Sequence, residues 1–150
     1  MGIFDNLKDA KVFENGRKLP PGDHDVLIDK ILMGKSARYG GENYIVEFIV
    51  LRSTSAEVGG RYSWVQSSRD MNSAQGAIKQ FVLSVMKANK DKNPDHYLQC
   101  EAQCEALAIA SCSTDQIFKG QKASVTNDIV KTKSNYDFNR HNWRPFVEAA

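Results

Sequence analysis

Three features of the sequence predict a mainly β domain of the α+β class. Residues 23–33, 44–53 and a run within 59–70 are rich in β-branched and aromatic side chains and read as three successive strands. Apolar residues at steps of three and four then take over across 72–88, which is helical spacing. Two further alternating runs, 122–130 and 136–146, follow. The expected order is three strands, a helical segment and two strands.

Residues 1–19 carry scattered apolar positions, Phe4, Leu7, Val12 and Phe13, and are expected to form a short helix or arm packed on the domain. The turn signal "LPPG", 19–22, ends that arm. In "DHDVLIDKILM", 23–33, alternation puts His24, Val26, Ile28 and Lys30 on one face. A glycine-rich loop, "GKSARYGGEN", spans 34–43 and holds Lys35, Arg38 and Tyr39. "YIVEFIVLRS", 44–53, is apolar on both faces, so it is expected to be covered on both sides. Either Tyr44, Val46, Phe48 and Val50 or the opposing Ile45, Ile49 and Leu51 could face inward.

The stretch "GGRYSWVQSSRD" then sets Tyr62, Trp64 and Gln66 on one face and Arg61, Ser63, Val65 and Ser67 on the other. Facing out, the rings would form a platform on which something flat could stack. Facing in, they are core.

Ala74, Ala77, Ile78, Phe81, Val82 and Val85 make the apolar stripe of the helix, with Asn72 placed to cap its start and Gln75 to reach back. "ANKDKNPDH" breaks it, and 95–112 reads as a second, weaker helix with Tyr97, Cys100, Cys104 and Leu107 on one stripe. The helical insertion thus covers 72–112. "KASVTNDIV", 122–130, is the fourth strand, with Ala123, Val125, Asn127 and Ile129 on one side. After the tight basic loop "KTKSN", 131–135, the fifth strand alternates Tyr136, Phe138 and Arg140 before its register shifts towards Trp143.

Five short strands with a helix between the third and fourth is the layout of an OB-fold, a partly open five-stranded Greek-key barrel. Its ligand surface lies across strands two and three, between the loops joining strands one to two and four to five. Those loops hold Lys35, Arg38, Tyr39, Lys131 and Lys133 here. Single-stranded nucleic acid needs cations along its phosphates and flat rings under its bases. The rings near the expected groove are Tyr39, Tyr44, Tyr62, Trp64, Tyr136 and Phe138, and the cations are Lys35, Arg38, Arg61, Lys131, Lys133 and Arg140.

Bulk properties fit this reading without demanding it. The 150 residues, 41% hydrophobic and 25% charged, suit one domain over 1–150 with a core of its own. Net charge is only +2, but residues 119–150 hold six basic against three acidic side chains, so the excess sits in the last fifth of the chain. Cys100, Cys104 and Cys112 are an odd number crowded into one segment, which speaks against a secreted disulfide framework and reads as small buried thiols. The start lacks the basic region and apolar run of a signal peptide, and no run is long enough to span a bilayer. A cytoplasmic location without membrane contact is therefore expected.

Catalysis finds little support. His24, His96 and His141 fall in separate elements, and the sequence holds no nucleophile elbow, phosphate-binding glycine loop or metal-ligand motif. Asp23, Asp25 and Asp29, with Glu47, could hold magnesium as a nuclease does, although a polar strand face explains them more simply. No cofactor, no resident metal and no enzymatic activity are expected.

The blocks "LPPGDHDVLIDKI", "ENYIVEFIVLRST", "GGRYSWVQSSRDMNSAQGAIKQFV" and "KGQKASVTND... NYDFNRHNWRPF" resemble, in order and spacing, small bacteriophage proteins of the single-stranded-DNA-binding type. The resemblance covers residues 19–146. It implies an OB-like fold, a role in phage DNA replication or recombination inside the infected bacterium, and binding through Tyr62, Trp64, Tyr136, Phe138 and Trp143. The chain departs from the pattern at "PFVEAA", which holds one glutamate where many such proteins carry an acidic partner-recruiting tail. The leading expectation is a non-catalytic, sequence-independent binder of single-stranded DNA, with RNA open as a ligand. It would work as an oligomer or cooperative array, alongside phage replication or recombination proteins. The alternative is a phage structural or assembly protein that uses the same aromatic face as a protein interface.

Overall fold

The computed structural model describes residues 19–35, 41–68, 71–131 and 137–147, with the side chains of residues 71, 130, 131 and 137–139 outside that description. Period-two burial runs through the first three strands. His24, Val26 and Ile28 on β1 (Gly22–Lys35), Tyr44, Val46, Phe48 and Val50 on β2 (Glu42–Ser53), and Tyr62 and Trp64 on β3 (Arg61–Ser67) are buried. The residues between them are half-buried or exposed, so β2 has one sealed face and one partly open face instead of the two covered faces expected. Turning the rings inward on β2 and β3 removes the most apolar area from water.

These strands join β4 (Lys122–Lys131) and β5 (Asp137–Pro145) in one open five-stranded antiparallel sheet of order β3-β2-β1-β4-β5. The central β1 pairs with β2 along most of its length and with β4 over 22–27. Gly22, at φ +139°, turns the chain into β1, and a Cβ there would collide with Thr54 Oγ1, so no other residue fits without a shift.

The β1–β2 register slips between Ile28 and Lys30, leaving Asp29 as an extra residue. Lys30 is therefore exposed and Ile31 buried, correcting the simple alternation that grouped Lys30 with Ile28. The β4–β5 ladder, by contrast, runs without a break from Lys131↔Asp137 to Ala123↔Pro145, so the expected shift before Trp143 does not occur.

The sheet coils until its two outermost strands meet across the core. Trp64 of β3 and Trp143 of β5 stand 5.3 Å apart between ring centroids. Phe81, from the helix α1 (Met71–Val85), wedges against both, at 5.5 Å from Trp64 and 4.8 Å from Trp143. Right-handed strand twist accounts for the coiling, and the apolar stripe of α1 fills the trough it creates.

The helical insertion differs from expectation at three points. Asn72 is the second residue of α1, too far in to cap it. The helix ends at Val85, where the Ala88 and Lys87 amides donate to the carbonyls of Leu83 and Ser84 and Lys87 takes φ +56°. That is the Schellman pattern, reached with a lysine in the place glycine usually fills.

The single helix expected over 95–112 is two, α2 (Pro94–Ala102) and α3 (Cys104–Ser111), hinged at Gln103. Asn93 caps α2 by accepting from the His96 amide, and Pro94 sits at its first turn. The hinge lets the two halves serve different partners. Cys100 packs with Leu83, Ala88 and Tyr97 in a small separate cluster, whereas Cys104 and Leu107 reach the main core.

Candidate nucleic-acid interface

The rings expected to receive bases on β2 and β3 are inside. Tyr44 is 4% exposed, Tyr62 8% and Trp64 3%. Trp64 meets Phe81, Trp143 and His141, and Tyr44 meets Phe81 edge-on at 6.2 Å. A ring sealed on both faces has none to offer a base, so these three residues are corrected from ligand platform to core. Trp143, which the family resemblance also implicates, is buried with them.

The Tyr44 hydroxyl has a defined task. Ser111 spends its own hydroxyl proton on the Ala108 carbonyl at 2.6 Å, so the Tyr44 hydroxyl donates to Ser111 Oγ at 2.7 Å. The bond ties β2 to α3 in the interior. Burial pushes the Tyr44 phenol well above its ordinary value. All three cysteine thiols are free, and burial raises each of them.

The opposite face of the sheet carries cations that are matched by carboxylates. Arg61 reaches from β3 across β2 to Asp29 at 2.6 Å, and Arg52 holds Asp25 at 2.6 Å. Arg140 approaches Asp128 at 3.4 Å and Arg144 approaches Asp23 at 3.7 Å. Asp25 also accepts from Ser124, and Asp23 from Thr126. The alternating aspartates of β1 are thus partners for arginines, as a polar strand face requires. Among the described residues no group of three His, Cys, Asp or Glu is placed to hold a metal ion.

Of the other residues expected to meet the ligand, Lys35 stands exposed at the end of β1, opposite Glu42. Lys131 ends β4 opposite Asp137, and Phe138 lies opposite Val130, with both side chains outside the described residues. Arg38, Tyr39, Lys133 and Tyr136 also lie outside the described residues. The described strands β1 and β2 run up to one of the two expected loops, and β4 and β5 to the other.

Two features carry no signal in the sequence pattern. His24 is 1% exposed, and its Nε2 lies 2.8 Å from the Pro20 carbonyl, which can only accept, so Nε2 carries the proton. Ser53 Oγ accepts from the Ser55 and Ala56 amides, which leaves its own proton for His24 Nδ1 at 2.7 Å. This histidine–serine pair lines a cleft of about 490 Å³ with Asp25, Arg52 and Arg144. Both ring nitrogens and the hydroxyl are engaged, which makes the pair a staple between β1 and the turn after β2. The residues are 29 apart in sequence and meet through the β1–β2 register, so no local motif announces them.

The second feature is an apolar recess of about 370 Å³ where β1 and β2 approach α1 and α3, lined by Met33, Tyr44, Ile78, Ala108, Ile109 and Cys112. Lys35 follows Met33 by two residues and Glu42 stands at the rim. Among the described residues no helix is long and apolar enough to cross a membrane. No protein-family model and no curated protein matches the sequence.

Proposed function

We propose that this protein binds single-stranded nucleic acid without catalysis, in an OB-like Greek-key fold, and grips it at its hairpin ends instead of on third-strand rings. The observation that carries this reading is the strand order β3-β2-β1-β4-β5 with α1 between β3 and β4. An OB barrel is this sheet with its outer strands closed on one another, and the Trp64–Trp143 pair brings those strands together across the core. In that fold the segments after β1 and after β4 flank the ligand. The sequence supplies Lys35, Arg38 and Tyr39 to the first and Lys131, Lys133, Tyr136 and Phe138 to the second and its continuation.

The chemistry then divides by location. Lysines and Arg38 at the hairpin ends neutralise phosphates and release counterions. Tyr39, Tyr136 and Phe138 take over stacking, each base worth about 1–3 kcal/mol. The apolar recess beside Lys35 is large enough to shelter one base. Arg61 and Arg140 must first leave Asp29 and Asp128, so they add less than their charge suggests. Phage DNA replication or recombination in an infected bacterium is the setting the block resemblance supports, and DNA is the ligand it favours over RNA.

Titration with a labelled single-stranded oligonucleotide at rising salt tests the reading. Binding should weaken steeply, and replacing Lys35, Arg38, Lys131 and Lys133 by alanine should flatten the log–log salt slope by about 0.7 for each phosphate left without its cation. Tryptophan emission should change little, because Trp64 and Trp143 are buried away from the hairpin ends. Absence of binding at low salt rejects the proposal. The alternative of an assembly protein that uses an aromatic face as a protein interface would need rings other than Tyr44, Tyr62 and Trp64, which are interior, and an oligomer that ignores DNA would favour it.

A further inference from the structure

The recess where β1 and β2 approach α1 and α3 has a more specific chemistry than shelter for a ring. Met33 of β1 is 47% exposed and Ile109 of α3 is 64% exposed, so two large aliphatic side chains from the sheet and from a helix leave apolar surface in water at one cavity. Tyr44 also lines it, and its hydroxyl is spent on Ser111. Polar groups complete the lining from three elements: Glu42 on β2, Gln66 on β3 and Gln75 on α1. Among the described residues no hydrogen bond or ion pair engages these three side chains. The Glu42 amide donates to Ser68 Oγ at 2.8 Å, which fixes the backbone that carries this carboxylate.

We propose that the recess is a subsite for one unpaired nucleobase bearing an exocyclic amine, so that adenine, cytosine and guanine enter it in preference to thymine. The subsite presupposes the nucleic-acid reading of the hairpin ends, since Lys35, two residues beyond Met33, would hold an adjoining phosphate. At about 370 Å³ the cavity lies near the lower end of the range for small-ligand sites, about 300–1,000 Å³. A base fits that space, whereas a helix does not. A purely aliphatic occupant would strip water from Glu42 and two amides without replacing it, which is costly. A nucleobase answers both parts of the lining, with apolar faces for Met33 and Ile109 and a hydrogen-bonding edge for the polar groups.

Glu42 supplies the discrimination. An ionised carboxylate can only accept, and an exocyclic amine donates to it as the cytosine amine does in groove readout. Thymine sets a carbonyl oxygen where cytosine has its amine, and the carboxylate repels it. The Gln66 and Gln75 amides both donate and accept, so they can hold either kind of base and do not choose between them.

A thymidine oligomer with one central 5-methylcytosine, compared with the unmodified thymidine oligomer, tests the subsite on the full chain at low salt. The two bases differ only on the edge that Glu42 would read. The 5-methylcytosine oligomer is expected to bind roughly tenfold more tightly. Glu42→Gln should bring the two affinities together, because an amide can donate to thymine as well as accept from the amine. Ile109→Ala should weaken the 5-methylcytosine oligomer several-fold at an unchanged melting temperature, since Ile109 is mostly exposed and contributes little to the core.

Salt-dependent binding with equal affinity for the two oligomers overturns the subsite and leaves the function of the hairpin ends standing. A preference that survives Glu42→Gln, or an affinity indifferent to Ile109→Ala, likewise overturns it, because the amine is then read elsewhere. Failure of both oligomers to bind rejects the nucleic-acid reading and the subsite with it.

Discussion

Trp64 touches three other rings, and its indole fills the space where β3, β5 and α1 converge. Trp64→Ala is therefore expected to cost about 3–5 kcal/mol of stability through the cavity it leaves, read as a lowered urea midpoint. Oligonucleotide affinity of the folded fraction should not change. An affinity loss at unchanged stability would return Trp64 to the ligand site.

Tyr44 gives a second test on a single side chain. Its phenol is held above the ordinary tyrosine value of 10.0, so its contribution is fully present below that pH and is lost as pH rises beyond it, where the unfolded chain ionises first. Thermal melts should show the wild type losing stability more steeply above about pH 10 than Tyr44→Phe does. At neutral pH the phenylalanine variant should be weaker by about 1 kcal/mol for the missing Ser111 bond. Alternation alone pairs Tyr62 with Trp64. It cannot say which way the pair points, because Arg61, Ser63 and Val65 alternate equally well.

Among the described strands and helices, sequence patterns locate all five strands and the long helix but miss features produced by partners. The β1 bulge at Asp29 is such a feature. It turns Lys30 outward and places Asp29 within reach of Arg61 on a strand two positions away in the sheet. The hinge at Gln103 is another, since one helix cannot present Cys100 to Leu83 and Cys104 to the main core at once. Gly22 opens β1 at a left-handed φ with Thr54 against it. Gly22→Ala should cost about 1–3 kcal/mol from the backbone alone, measurable by denaturant unfolding. The hairpin-end cations make the matching prediction for binding: replacing Lys35 and Arg38 by alanine should reduce affinity without moving the melting temperature, since Lys35 is exposed and charge there contributes little to folding.

Across the molecule, the proposed function rests on the basic hairpin ends, set apart from the arginine–aspartate pairs of the outer sheet face. The block resemblance to phage DNA-binding proteins rests on short segments alone, since no family model spans them.

The order of strands and helices, the grouping of rings and cations along each strand, and the basic character of the hairpin ends are all legible in the amino-acid sequence, because period and composition are local properties. Which side of each grouping is buried became definite only on folding. The reason is physical: a strand's two faces are equivalent until another layer covers one of them, and the coiling of this sheet around Phe81 is what turned the rings into core and left aliphatic rows and paired charges facing water.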